Sequence, residues 1–129
     1  MTAVEFDRVS IVFGDNPDRA LPLMDKGMTR AEVQEQTGQV LGVHDCSLTV
    51  ATGEILVLMG LSGSGKSTLL RGVNALNPVV RGEVRVADGG KMVSVTKAEP
   101  EALRKLRLSK IAMVFQQFGL LPWRTVREN

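Results

Sequence analysis

The feature that most constrains this chain is one short run, Gly60-Leu61-Ser62-Gly63-Ser64-Gly65-Lys66-Ser67, which satisfies the spacing G-x-x-x-x-G-K-[ST]. A second hydroxyl residue, Thr68, follows it directly. The apolar run 55–59 before it is typical of a strand buried on both faces. Residues 66–76 after it carry apolar side chains at helical spacing. We therefore predict a strand, a glycine-rich loop and a helix, in the order that this motif requires.

The residue types in this loop suit a polyphosphate. Glycines permit backbone conformations that turn successive N–H groups inward on an anion. Lys66 can reach the β- and γ-phosphates, Ser67 can offer its hydroxyl to Mg²⁺, and Thr68 can contact the α-phosphate side. The predicted ligand is ATP with Mg²⁺, bound by Gly60, Leu61, Ser62, Gly63, Ser64, Gly65, Lys66, Ser67 and Thr68. The alternative is a glycine-rich turn before a surface helix, in which the lysine is merely solvated.

Bulk properties narrow the class of protein further. With 129 residues the chain can form one small domain or part of a larger one. Its formal charge is only +2, and its basic residues are interspersed with acidic ones, which disfavours nucleic acid as a partner. The single cysteine, Cys46, excludes an internal disulfide and suits a reducing compartment. The first residues lack the basic and apolar stretches that are typical of a signal peptide, and no apolar run reaches the ~20 residues that a membrane span needs.

The remaining elements follow from local patterns. Thr29 and Glu32 form a capping-box pattern within a helical segment, 20–37, for which Gly38 is a C-terminal stop. We predict one broken helix or two short ones there. Outside this segment we predict strands at 4–13, 46–51, 54–59, 82–87, 91–95 and 110–115, and a basic amphipathic helix at 100–108.

Several stretches beyond the loop carry a resemblance: Gly53-Glu54-Ile55, Arg81-Gly82-Glu83-Val84 and Met113-Val114-Phe115-Gln116, in that order. Together with the loop they resemble the ATP-binding subunits of ABC transporters over nearly the whole chain. The resemblance implies an α/β fold with a P-loop NTPase (RecA-like) core, which is incomplete here, and an N-terminal antiparallel β subdomain. Residues 1–129 are expected to be the N-terminal part of one nucleotide-binding domain, with a helical insertion at 17–38, the P-loop at 60–68 and a Q-loop region at 116–123.

Three further residues take roles only by position in this resemblance. Gln116 is similar to the Q-loop glutamine, which contacts Mg²⁺ and the attacking water, although the adjacent Gln117 is chemically identical. Lys66 and Gln116 are thus the expected catalytic residues, and Ser67 and Gln116 the expected metal ligands. Phe13 lies where the family stacks an aromatic ring on adenine, and a core phenylalanine is the alternative. Trp123 lies where the family docks its membrane subunit, with a core tryptophan as the alternative.

The insertion and the loop sequence resemble the importer group for glycine betaine, proline and choline, and the 116–123 stretch is most similar to its choline branch. The implied partners are a second ATP-binding subunit in a head-to-tail dimer, a transmembrane permease near Trp123 and, indirectly, a substrate-binding protein. The implied location is the cytoplasmic side of the inner membrane. The family's later motifs are expected beyond Asn129, so this chain alone should hydrolyse little ATP. A sulfonate or nitrate importer, a soluble P-loop kinase and a noncatalytic nucleotide-binding module remain alternatives.

Overall fold

Strand β1, Thr2–Phe13, is an interior strand of a four-stranded antiparallel sheet in the computed structural model, which describes all 129 residues. The other strands are β2, Val40–Ala51, β3, Arg81–Asp88, and β4, Lys91–Ser94. The order across the sheet is β2-β1-β3-β4. β1 has a partner on each side, and its apolar side chains Phe6, Val9, Ile11 and Val12 are buried in the packing on the faces of the sheet.

The register of β1 is interrupted by bulges. β1 pairs with β2 from Thr2–Ala51 to Phe13–Val40, and with β3 from Val4–Val86 to Ser10–Arg81. Both ladders shift between residues 6 and 10, where Arg8 has a φ of 50°. A bulge bends a strand and strengthens its twist. The predicted hairpin is confirmed, because β3 and β4 pair from Arg85–Ser94 to Asp88–Lys91 around Gly89-Gly90.

The predicted helical segment between β1 and β2 is confirmed as short helices. A 3₁₀ turn at Pro17–Ala20 leads into α1, Leu21–Asp25, and then α2, Arg30–Thr37. The capping box is present: Glu32 N–H donates to Thr29 Oγ1 at 3.3 Å, and Thr29 N–H donates to Glu32 Oε2 at 2.8 Å. Gly38 ends α2 at a φ of 70°, as its position predicts.

The predicted helix after the loop is wrong in length. Helix α3 covers only Lys66–Leu70, and hydrogen-bonded turns follow to residue 75. Ala75 has a φ of 57°, a left-handed conformation that a continuing α-helix cannot include. Helix α4, Pro100–Ser109, lies where a helix is predicted.

Two predicted strands are absent. Residues 54–59 and 110–115 have no regular secondary structure. Ile55, Val57 and Met59 are 90%, 68% and 87% exposed, although their pattern predicts burial. The physical reason is that a strand needs a hydrogen-bonding neighbour, and none of the four strands of this chain pairs with either segment.

The buried side chains form two separate clusters. The larger one joins the sheet to α3 and α4, and consists of Phe6, Val9, Ile11, Leu69, Val84, Val86, Val95 and Leu106. The smaller one joins β1 to the insertion, and consists of Val12, Ala20, Met24 and Val33. None of the helices combines the length and the apolar character that crossing a membrane would require.

Candidate nucleotide site

The glycine-rich loop folds around the side chain of Lys66. Its Nζ donates to the carbonyl oxygens of Gly60 at 2.9 Å and Leu61 at 2.7 Å, and to Ser64 Oγ at 3.2 Å. Gly63 and Gly65 have φ values of 78° and 100°, which residues with a Cβ rarely adopt. The ammonium therefore lies at the centre of its own loop, held by oxygen atoms of the chain.

A cleft of about 250 Å³ opens beside this loop. Its lining residues come from three parts of the chain: Gly63, Gly65, Lys66, Ser67 and Thr68 of the loop, Phe13, Val40, Leu41 and Gly42 of the strands, and Arg30 of the insertion. Phe13 is 38% exposed, so its ring is available within the cleft. The cleft therefore has both an aromatic ring and an ammonium in its lining, which are the groups that suit the two parts of a nucleotide.

Gly42 of β2 permits the close approach of the two sides of this cleft. A Cβ added there would lie 2.9 Å from Thr68 Cγ2 and 3.0 Å from Phe13 Cε2. A Cβ added at Gly65 would lie 2.7 Å from the Gly42 carbonyl oxygen. Ordinary carbon contacts need about 3.5–4.0 Å. The absence of a side chain at residue 42 thus sets the spacing between Phe13 and the loop.

Arg30, the first residue of α2, also reaches the cleft and was not predicted from the sequence. Its Nη1 donates to the Gly63 carbonyl oxygen, and its Nη2 donates to that of Gly42 at 3.1 Å. The contact with Gly63 spans 33 residues of sequence. No spacing rule predicts such a contact, and a basic residue after an N-cap gives no signal by itself.

The insertion that carries Arg30 is connected to the sheet by an ion pair as well as by the smaller cluster. Asp25 Oδ2 and Oδ1 accept from Arg81 Nη1 at 2.9 Å and Nη2 at 2.8 Å, and His44 Nε2 lies 3.2 Å from Oδ1. The hydrogen bond from Arg81, followed by the contact with His44, lowers the pKa of Asp25 from 3.8 to about 2.

Gln116 and Trp123 do not join the cleft. Neither residue lines it, and both lie in the irregular segment after α4. Trp123 is 76% exposed, which excludes a core position within this chain. The structure therefore brings Phe13 into one cleft with five of the predicted loop residues: Gly63, Gly65, Lys66, Ser67 and Thr68. The other predicted binding residues do not line this cleft: Gly60, Leu61, Ser62, Ser64 and Gln116.

A larger cavity of about 290 Å³ lies elsewhere and is apolar. Residues from both absent strands line it, including Leu56, Leu58, Ile111 and Met113, and Asn74 is its only polar residue. It offers no cation for a phosphate. Its lining instead shows that segments 54–59 and 110–115 share one apolar surface.

Most of the sequence is similar to that of known proteins. The family model described as ABC transporter matches residues 43–129. The glycine betaine/proline betaine transport system ATP-binding protein of Salmonella typhimurium is 48% identical over 118 residues, covering 92% of this chain and 28% of that protein. The trimethylamine N-oxide transport system ATP-binding protein of Ruegeria pomeroyi is 43% identical over 118 residues, covering 92% and 33%.

Solved structures agree with this match. A dimeric ATP-binding cassette in a post-hydrolysis state, bound to ADP and Pi, superposes with a TM-score of 0.68 at 27% identity, covering 97% of this chain and 44% of that one. The chain spans about a third or less of the length of these curated relatives. Since the family model covers two-thirds of its residues, the chain belongs to the ABC transporter family.

Proposed function

We propose that this chain is part of the ATP-binding subunit of an ABC importer that couples ATP binding and hydrolysis to the uptake of a quaternary amine. The observation that carries the proposal is the cleft that Phe13, Gly42 and Lys66 line together. Family membership removes the soluble kinase alternative, because the matched model describes ABC transporters.

The residues of the cleft fit ATP with Mg²⁺. Lys66 provides an ammonium for the β- and γ-phosphates, and its three present partners are oxygen atoms that phosphate oxygens can replace. Ser67 provides a hydroxyl for the metal, and Phe13 an aromatic face for adenine. ATP with Mg²⁺ supplies the phosphoanhydride bond whose hydrolysis would drive transport. The remaining loop residues, Gly60 to Ser64, provide backbone groups around the phosphates.

The glutamine and the tryptophan keep their proposed roles. Gln116 would contact Mg²⁺ and orient water, because an amide both donates and accepts hydrogen bonds. That role requires the segment around it to approach the loop. Trp123, exposed beside Arg124, suits a permease interface at the cytoplasmic face of the membrane, where a second ATP-binding subunit would complete a head-to-tail dimer.

The names of the relatives support the proposed substrate class. Those proteins serve transport of glycine betaine, proline betaine and trimethylamine N-oxide, which share a nitrogen bearing methyl groups. These names favour a quaternary amine over sulfonate or nitrate. Choline, with the same trimethylammonium group, is the finer proposal that rests on the 116–123 stretch.

Nucleotide binding is tested by replacing Lys66. In the protein at its natural length, Lys66→Ala should weaken ATP binding by about tenfold or more, because a charge-assisted contact is lost. The matched control is Lys105→Ala, since Lys105 is exposed on α4 and pairs only with the exposed Glu101. Titration calorimetry with ATP and Mg²⁺ measures both variants. Equal ATP affinity in the wild type and Lys66→Ala would refute the site.

Transport is tested separately in cells that lack the gene. Wild-type protein should restore uptake of labelled glycine betaine or choline, and Lys66→Ala should not. Competition between the two labelled compounds identifies the preferred substrate. Unchanged uptake of both after gene deletion would refute the proposed substrate class while leaving ATP binding intact.

A further inference from the structure

The cleft carries two cations and no acid. Of its ten lining residues, Arg30 and Lys66 are positively charged, and none is aspartate or glutamate. Neither cation forms an ion pair anywhere in the chain; their partners are carbonyl or hydroxyl oxygens. Two uncompensated positive charges on one small cleft favour a ligand that carries several negative charges.

The Arg30 guanidinium has N–H donors that form no hydrogen bond within the chain. Its two hydrogen bonds use one N–H on Nη1 and one on Nη2, out of five N–H donors. The remaining three make no hydrogen bond within the chain. A guanidinium fork matches the oxygen atoms of a phosphate, to which it can donate two parallel bonds.

The insertion positions Arg30 rather than leaving it on a mobile surface helix. The capping box fixes the start of α2 immediately before Arg30. Val33, three residues further on, is fully buried against Val12 and Met24. Asp25 adds the ion pair with Arg81 of β3. The insertion is therefore held on the sheet both at α1, through Asp25, and at α2, through Val33.

We propose that Arg30 is a nucleotide-binding residue through which the insertion supplies a second cation to the polyphosphate. The proposal rests on the proposed ATP site and adds a contact from outside the glycine-rich loop. Phosphate oxygens would take the unused guanidinium donors, and Arg30 would keep the loop close to Gly42. The insertion then belongs to the nucleotide site itself, since it contributes one of its two charges.

Three substitutions separate a charge contact from a purely structural one. In the protein at its natural length, Arg30→Ala should weaken ATP binding about tenfold. Arg30→Lys keeps the charge but loses the fork, so its affinity should lie between those of the wild type and Arg30→Ala. Arg30→Gln can still donate to a carbonyl but is neutral, and should be as weak as Arg30→Ala. The matched control, Arg19→Ala, removes an exposed arginine of the same insertion and should leave affinity unchanged.

The possible outcomes all decide the question. Wild-type affinity in Arg30→Ala would overturn the proposal, as would Arg30→Lys as weak as Arg30→Ala. Retained affinity in Arg30→Gln would show that Arg30 only supports the loop. The Lys66→Ala variant, measured alongside, keeps the two hypotheses distinct: if Lys66→Ala loses ATP and Arg30→Ala does not, the ATP site stands and the role of Arg30 fails.

Discussion

Truncating one buried side chain of the insertion should open α2 locally without unfolding the sheet. Val33 is fully buried in a cluster with only three other buried residues: Val12, Ala20 and Met24. Val33→Ala removes two buried carbons at about 0.8 kcal/mol each, and the remaining cavity raises the cost to about 2 kcal/mol. This free energy corresponds to about a thirtyfold larger population of the open insertion.

Amide hydrogen exchange measures this effect residue by residue. In Val33→Ala the hydrogen-bonded amides of α2 should exchange about thirtyfold faster, while those of β3, packed in the larger cluster, should not change. Glu35→Ala is the matched control, because Glu35 is exposed on the same helix and alanine is a better helix former. Equal acceleration in α2 and β3 would refute the separation into two clusters, and no acceleration would refute the burial argument.

Two further changes test an ion pair and a close backbone contact. Because Arg81 lowers the pKa of Asp25 from 3.8 to about 2, the pair stabilises the fold above pH 4, and this stability is lost as pH falls towards 2. Asp25→Asn should therefore reduce the loss of unfolding free energy between pH 4 and pH 2, measured by acid titration. An unchanged pH dependence of stability would contradict the role of the Asp25–Arg81 pair. Gly82 has a φ of 88°, and a Cβ there would lie 2.2 Å from the Arg8 carbonyl oxygen. The matched control is Gly27→Ala, because Gly27 has a φ of 82° but open space around it, so that substitution should cost only the backbone strain of about 1–2 kcal/mol. Gly82→Ala should lower the melting temperature by clearly more than Gly27→Ala. Equal losses in the two variants would contradict the clash.

The elements predicted best are those specified by neighbouring residues. Thr29, Glu32 and Gly38 define the start and end of α2 through contacts within a few residues, so their signal needs no tertiary structure. The β3–β4 hairpin is equally local. The pattern of β1 likewise predicts a strand, because alternation reports a half-buried sheet position.

The predictions that failed depend on distant partners. The apolar run 55–59 has the composition of a buried strand, but composition specifies only that it should be covered. In this chain nothing pairs with it, and Ile55 remains 90% exposed. The same reasoning applies to 110–115. A strand is defined by hydrogen bonds to a second segment, which its own sequence cannot supply.

The candidate site shows the same division. The sequence locates Lys66 and the loop glycines because the motif is contiguous, and the family resemblance adds Phe13. Arg30 and Gly42 were missed, since their importance arises from contacts with Gly63, Phe13 and Thr68 across the fold.

Gly42 is central to the proposal that one cleft holds both ends of a nucleotide. The proposed adenine contact at Phe13 and the proposed phosphate contacts at Lys66 come from separate parts of the chain, so their spacing depends on the element that lies between them. That element is β2, which pairs with β1 at Phe13 and passes the loop at Gly42. Arg30 then donates to the carbonyl oxygens of both Gly42 and Gly63, joining the insertion, the strand and the loop at one point. A cation at that point connects the packing of the insertion to the shape of the cleft, so stabilising either one favours the other.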